Sequence, residues 1–152
     1  LIPRACKNPA EQAAIIRSHI RDGAAVTRFL HWLSREGLKG TLTELSVEEK
    51  LREFRRADPH YRDDSFSTIA GWAGHGAIVH YRATAATNAA IKPPGILLID
   101  SGAQYDDGTT DITRTVALGD PTPEMKENFT RVLKGHIAVA TARVPEGTTG
   151  VQ

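Results

Sequence analysis

Hydrophobic residues recur at helical spacing over the first third of the chain. Between residues 8 and 36 they return every three or four positions, which predicts one long helix. Asn8 is suited to the N-cap, Pro9 to the first helical position and Glu11 to the partner position of a capping box. Gly37 is suited to the C-terminal end. Six apolar residues are predicted to face inward: Ile16, Ile20, Ala24, Phe29, Leu30 and Leu33.

A second helical pattern follows after a short interruption. It begins at Ser46, where Glu49 completes another capping box. It ends at Asp58-Pro59, because the helical conformation is disfavoured before a proline. Charged residues dominate positions 48–56, and we interpret them as a solvated helix face.

The pattern then changes to short β-branched or apolar runs bounded by glycine, proline and polar residues. These runs predict four strands, at residues 66–70, 77–81, 95–101 and 111–118. Asp107-Gly108 has the composition of a two-residue hairpin turn between the last two strands.

Thr122-Pro123 begins a third helix, predicted over about 123–142. Its inward face is predicted to contain Phe129, Val132, Leu133, Ile137 and Ala140. Two helices, a patch of four strands and a further helix predict an α+β fold.

The composition bears on the possible functions of the chain and leaves the predicted fold unchanged. The chain has 152 residues, enough for one domain with its own core. A formal net charge of +1 gives no electrostatic reason to expect nucleic acid or an anionic membrane as a partner. Cys6 is the only cysteine, which excludes a disulfide framework or thiolate zinc cluster within these residues and fits the cytoplasm. No apolar run approaches the length of a membrane span. Because the sequence starts at Leu1 rather than Met, we expect it to be a segment of a longer protein.

Two aspartates adjoin the last two strand-like runs. Asp100 follows the apolar residues 97–99, and Asp111 opens the next run. A buried carboxylate is costly unless it is hydrogen-bonded, paired or bound to a metal. The simpler interpretation is that both are turn residues, since aspartate is common near loops.

The predicted hairpin turns both carboxylates to the same side. If Asp107-Gly108 form the turn, Asp111 lies opposite Gln104, and residues 100, 102 and 104 share one strand face. Gly102 would leave open space between the aspartates. Their offset of four residues, about 13 Å along the strand, is long for one metal site. A bulge, a wider loop or strong twist would have to shorten it.

Two carboxylates on one face fit two kinds of chemistry. Oxygen ligands without cysteine suit manganese or magnesium, and a dinuclear centre activates water and polarises a carbonyl for hydrolysis. A carboxylate pair alone could also act as acid and base. His80, ending the predicted strand 77–81, could point into the same cavity, although a histidine there is more often structural. The other histidines are assigned no role: His19, His31, His60, His75 and His136.

The segments GHGAIVHY (74–81) and LIDSGAQYDDGTTDITRT (98–115) resemble aminopeptidase P, the Xaa-Pro aminopeptidase of peptidase family M24. The similarity continues through 16–33 and 132–150, and it is closest to the three-domain branch of bacteria and the eukaryotic cytosol. It implies the pita-bread fold, in which two pseudo-symmetric α+β halves surround a dinuclear metal centre. This chain would be the amino-terminal half of that catalytic domain.

The resemblance also implies an activity and roles for three residues. Members release the N-terminal residue from peptides with proline second, usually with two manganese ions. Asp100 and Asp111 match the two aspartate ligands, of which the second bridges both metals. His80 matches a substrate-binding, catalytic histidine near the scissile bond. The complete protein is expected to be a cytoplasmic homodimer.

Three further ligands of the family, a histidine and two glutamates, belong to the second half of the fold, and this sequence ends before them. His75 lies between two glycines, as that histidine does, but upstream of Asp100, so it is not assigned as a ligand. We therefore expect this chain alone to be inactive.

Two groups of alternatives remain open. Prolidase and methionine aminopeptidase are peptidases with the same fold. A pita-bread protein that has lost its metal could instead serve as a binding module, although both aspartates are present here.

Overall fold

A computed structural model of the chain describes residues 2–151. They form two compact units, of which the first ends at Asp120 and the second begins at Pro121. The first unit has three helices, α1 (Ile2–Ala5), α2 (Pro9–Glu36) and α3 (Glu44–Arg56), and two 3₁₀ segments, Gly37–Lys39 and Ala73–Ala77.

Helix α2 confirms the predicted long helix and its capping box. Asn8 Oδ1 accepts a hydrogen bond from the Glu11 N–H at 2.9 Å, and Glu11 Oε2 accepts one from the Asn8 N–H at 2.8 Å. The predicted inward face is wrong in its first half, because Ile16 and Ile20 are 61% and 67% exposed. Ala24 is exposed as well. The buried residues are Ser18, Asp22, Ala25, Val26, Phe29 and Leu33.

Helix α3 begins earlier than predicted, because a different hydroxyl caps it. Thr43 is the N-cap: its Oγ1 accepts a hydrogen bond from the Ser46 N–H at 3.3 Å. Ser46 Oγ in turn accepts from the Thr43 N–H at 2.8 Å, so Ser46 takes the role expected of Glu49. Glu49 is free to pair with Arg52 and Arg56 on the surface.

The charged stretch of α3 is only partly solvated. Val47, Leu51 and Arg55 share one buried stripe of the helix, and the Arg55 side chain is 1% exposed. Arg55 Nε donates to Asp22 Oδ1 at 2.8 Å, and Arg55 Nη2 donates to Asp22 Oδ2 at 3.2 Å. Tyr105 Oη donates to Asp22 Oδ1 at 2.9 Å. A buried, bidentate ion pair therefore joins the two helices.

Glu48 also departs from the predicted solvated face. Its Oε1 is buried and has no hydrogen-bond partner among the described residues. Burial, together with the nearby charges of Glu44 and Asp64, raises the pKa of Glu48 to about 7, against the opposing effect of Arg52 and Arg82.

Among residues 2–151, six strands form two antiparallel sheets of three. The first sheet has β3 (Gly95–Ser101) at its centre, between β2 (Ile69–Trp72) and β6 (Ile112–Leu118). The second has β4 (Ala103–Tyr105) between β1 (Tyr61–Asp64) and β5 (Gly108–Thr109). The strands predicted at 95–101 and 111–118 are confirmed as β3 and β6, and the one predicted at 66–70 begins three residues later as β2. Strands β1, β4 and β5 were not predicted.

The prediction of a strand at 77–81 is wrong. A 3₁₀ segment (Ala73–Ala77) leads into a turn in which the Tyr81 N–H donates to the Ile78 carbonyl at 3.1 Å. The central strand β3 is paired along both edges, by β2 and by β6, and so offers no edge for this segment. The apolar run forms a loop instead.

The core lies on one face of the sheet around β3. Burial alternates along this strand: Gly95, Leu97, Ile99 and Ser101 are buried, and the residues between them are partly exposed. The buried face packs against α2 and α3 through Val26, Phe29, Leu33, Val47 and Leu51. Asp100 therefore lies on the face that these helices do not cover.

The second unit contains α4 (Pro123–Ala140), capped by Thr122, whose Oγ1 accepts from the Met125 N–H at 3.2 Å. This helix was predicted over about 123–142. Its predicted inward face is not buried, and Val132 is 73% exposed. Within residues 2–151, no helix is both long and apolar enough to cross a membrane.

We expect Arg55→Ala to lower the free energy of unfolding by about 3–5 kcal/mol, because it leaves the Asp22 carboxylate buried without its charged partner. Urea unfolding monitored by circular dichroism measures this change. Arg56→Ala is the matched control: Arg56 pairs with Glu49 at the surface, and its loss should cost less than about 1 kcal/mol. Equal costs for the two substitutions would contradict the importance of the buried pair.

We expect Glu48→Gln to stabilise the protein at pH 8 but not at pH 4. The folded-state pKa of about 7 lies above the usual 4.5, so protonated Glu48 favours the fold. This contribution is complete below pH 4.5 and is lost as the pH rises through 7. Unfolding free energies of both proteins across this range test the prediction. Glu53→Gln, at an exposed position paired with Lys50, should show no such pH-dependent gain.

Candidate metal centre

The β4–β5 hairpin turns one residue earlier than predicted. Tyr105 pairs with Gly108, so the turn residues are Asp106-Asp107 rather than Asp107-Gly108. Gly108 stays within the strand because it lies against helix α2: a Cβ at this position would come within 2.3 Å of Ser18 Oγ. The glycine is required for close packing, and the two aspartates take the turn.

This turn brings Asp100 and Asp111 closer in register than the sequence indicated. Asp100 pairs directly with Thr113, and Asp111 lies two residues before Thr113, next to the start of β6. The offset between the aspartates is therefore two residues, about 7 Å along the strand, instead of four. Because side chains alternate with a period of two, this register places both aspartates on the same face.

The two carboxylates have different surroundings. Asp100 is half-buried, and its Oδ1 accepts a hydrogen bond from the Thr113 hydroxyl at 2.9 Å. Asp111 is exposed. The expected open space at Gly102 is absent, since a Cβ there would lie 2.0 Å from the Thr110 carbonyl oxygen and 2.2 Å from Ser65 Oγ. Any ligand shared by the aspartates must therefore lie outward of this filled position.

The donor set fits a hard divalent cation in part. Carboxylate oxygens are the ligands that manganese and magnesium prefer. Among residues 2–151, however, no group of three or more histidine, cysteine, aspartate or glutamate side chains is placed to hold a metal. Asp100 and Asp111 can thus supply only part of a coordination shell.

The 3₁₀ segment (Ala73–Ala77) that precedes His80 crosses the same sheet face as Asp100. Gly71 pairs with Leu98, two residues from Asp100 along β3, and a Cβ at Gly71 would lie 2.8 Å from Gly76 Cα. The 3₁₀ segment therefore packs directly over Gly71. His80 follows it, exposed, with a backbone φ of +56°. The sequence suggested that His80 ends a strand, but it lies on a loop.

A buried carboxylate missed by the sequence analysis, Glu44, lies beneath this loop. The Trp72 N–H and His75 Nδ1 meet its Oε1 at 2.7 and 2.8 Å. The Tyr81 hydroxyl and the Ala89 N–H donate to its Oε2 at 2.8 and 3.0 Å. Burial is the strongest influence on the pKa of Glu44 and would raise it, but the four hydrogen bonds together outweigh burial, so the pKa is lowered.

The sequence did contain a signal for Glu44. It is placed on the same stripe of α3 as Val47, Leu51 and Arg55, all of which are buried. An acidic residue in a first helical turn is usually explained by the helix dipole, and this explanation hides its burial. His75 was assigned no role, yet its ring packs on that of Tyr81 with centroids 4.5 Å apart. The other histidines that were assigned no role are exposed: His19, His31, His60 and His136.

The chain is similar to known proteins in both sequence and fold. The family model of metallopeptidase family M24 matches residues 13–152. Aminopeptidase P2 of Arabidopsis thaliana is 48% identical over 148 residues, which are 97% of this chain and 21% of that protein.

Two solved structures are similar. The X-prolyl aminopeptidase of Caenorhabditis elegans, a cytosolic enzyme with a di-nuclear active site, is 40% identical with a TM-score of 0.84, over 95% of this chain and 24% of its own. The Xaa-Pro dipeptidase of Bacillus anthracis is 25% identical with a TM-score of 0.73, over 86% of this chain and 34% of its own.

The chain thus spans between 21% and 34% of the length of these three proteins. The structural similarity confirms the predicted α+β fold of the pita-bread class. From the family match, the chain belongs to metallopeptidase family M24.

Proposed function

We propose that this chain provides the amino-terminal half of the catalytic domain of a metallo-aminopeptidase, which releases the N-terminal residue from peptides with proline second. The observation that carries the proposal is the register of β3 and β6, which pairs Asp100 with Thr113, two residues from Asp111, on the sheet face that α2 and α3 leave uncovered. Similarity to an X-prolyl aminopeptidase with a di-nuclear active site supports it.

In this proposal Asp100 and Asp111 hold two divalent cations, which we propose to be manganese. When bound, such a centre lowers the pKa of a water molecule and polarises the scissile carbonyl. The Thr113 hydroxyl donates to one oxygen of Asp100 and so fixes the orientation of that carboxylate. Asp111 is exposed, so its carboxylate would be accessible to a divalent cation.

His80 is proposed to bind the substrate near the scissile bond. It is exposed on the loop that packs over the face of Asp100, where its imidazole can exchange a hydrogen bond with a peptide group. Two aspartates leave the coordination of two cations incomplete. We propose that the remaining ligands come from a second half-domain and that residues 1–152 alone have no peptidase activity.

The proposed partners are peptides, and the proposed assembly of the complete protein is a cytoplasmic homodimer. The similarity to a cytosolic enzyme supports the compartment. A net charge of +1 gives no support for nucleic acid or an anionic membrane as a partner.

A dipeptidase is the second candidate, favoured by the similarity to an Xaa-Pro dipeptidase.

We expect the natural full-length protein with manganese to cleave Xaa-Pro tripeptides and longer peptides faster than Xaa-Pro dipeptides. Release of the N-terminal residue, followed by chromatography, measures both rates. The reverse preference would indicate a dipeptidase. No cleavage together with no bound metal would indicate a metal-free binding module.

We expect Asp111→Asn in the full-length protein to remove bound manganese and lower the rate of peptide cleavage by more than about 100-fold, because a neutral amide is a weaker ligand for a hard cation than a carboxylate. The fold should persist, since Asp111 is exposed. Metal analysis, peptidase rates and the unfolding midpoint measure the three effects. Asp120→Asn, at another exposed aspartate of the first unit, should change none of them. Activity near the original rate would show that Asp111 is not a ligand.

A further inference from the structure

We propose that Glu44 is a positioning residue for His80: its buried carboxylate holds the loop of residues 73–81 in the conformation that presents His80 on the face of Asp100. The inference rests on the proposed substrate-binding role of His80 and extends it to a carboxylate that is 0% exposed.

The partners of Glu44 lie on both sides of His80 in the sequence. The Trp72 N–H and His75 bind its Oε1 before the loop turns, and the Tyr81 hydroxyl binds its Oε2 immediately after His80. The ring of His75 packs on that of Tyr81, which joins the two sides directly. One carboxylate therefore closes the loop at its base.

The backbone at His80 needs such support. Its φ of +56° lies in the left-handed region, which is strained for a residue other than glycine. His80 is exposed, while the adjacent Tyr81 is buried and hydrogen-bonded to Glu44. The buried neighbour fixes the direction of the chain, and His80 is left facing outward in a strained conformation. Strain of this kind persists only where the surroundings over-determine it.

The chemistry of the cluster requires an ionised carboxylate. Each oxygen of Glu44 meets two hydrogen-bonding groups, and two of the four are backbone N–H groups, which can only donate. A glutamine would direct its NH2 group at one of these N–H groups and leave it buried without an acceptor. Glu44 is 0% exposed, so water cannot replace the lost hydrogen bond.

A role confined to stability is the competing explanation, and a double-mutant cycle separates the two. Tyr81→Phe removes the hydroxyl that binds Glu44 but retains the ring that packs on His75. It is combined with His80→Ala in the full-length protein. If the cluster acts through His80, the loss of the hydroxyl matters only while His80 is present.

We expect Tyr81→Phe to lower kcat/KM for an Xaa-Pro peptide by about 10-fold or more, the effect of losing one hydrogen bond to a charged group, with bound manganese unchanged. His80→Ala should lower turnover further and also leave the metal in place. In the His80→Ala background, Tyr81→Phe should change kcat/KM by less than about twofold. Glu44→Gln should act in the same direction as Tyr81→Phe and more strongly.

Tyr61→Phe is the matched control, because the Tyr61 hydroxyl donates to a carboxylate oxygen of Asp64 at 2.7 Å, outside the loop. It should leave kcat/KM unchanged in both backgrounds. Equal losses from Tyr81→Phe with and without His80, or no loss with His80 present, would overturn the inference. So would metal loss in Tyr81→Phe.

Failure of the proposed function is distinguishable from failure of this inference. If the wild-type protein cleaves no Xaa-Pro peptide, the proposed function is overturned, and hydrogen exchange of the backbone amides at 73–82 tests the loop directly. Faster exchange there in Tyr81→Phe, but not in Tyr61→Phe, supports the tether to Glu44, and unchanged exchange overturns it. A wild-type rate in His80→Ala overturns both the role of His80 and its positioning.

Discussion

The buried ion pair between Asp22 and Arg55 determines how the first unit is assembled. A carboxylate that is 3% exposed must be matched by charge and hydrogen bonds, and only a specific arrangement of α2 and α3 brings the Arg55 guanidinium to both of its oxygens. Tyr105 adds the β4–β5 hairpin to the same point. Burial, and then the charge of Asp22, raise the pKa of Tyr105, so the hydroxyl remains a donor. The polar first half of the buried face of α2 thus fixes the arrangement of α2, α3 and the β4–β5 hairpin, and the apolar second half supplies the core.

Features that depend on neighbouring residues could be predicted from the sequence. The capping box of α2 and the extents of β3 and β6 are of this kind, because propensity and alternation act within a few residues. The α+β class and the family followed from such segments. Features that depend on distant partners were missed. Arg55 and Glu44 look like surface charges until their buried partners are known, and Gly108 looks like a turn residue until α2 is placed beside it.

For the candidate site, the sequence predicted that the two aspartates share a face, but it predicted the wrong register between their strands. The spacing was misjudged because the turn was assigned to the glycine, and one residue of error in a turn moves the opposite strand by two. The loop of His80 was missed for a related reason: its apolar residues indicate a strand, but both edges of β3 are already occupied. In each case the tertiary neighbour, rather than local preference, decided the structure.

The two faces of β3 have different contents: one packs in the core, and the other bears the candidate site. Leu97 and Ile99 point to the helices, while Asp100 points to the opposite side, where a carboxylate can remain accessible without disturbing the core. Glu44 connects the helices on one side of the sheet to the loop on the other side. It begins a helix of the core layer, yet its carboxylate binds the end of β2 and the loop that folds back over Gly71. An uncharged side chain at this position could pack against the core, but it could not satisfy the donors of the loop. The buried charge of Glu44 is therefore what couples the packed helices to the conformation of the loop beside Asp100.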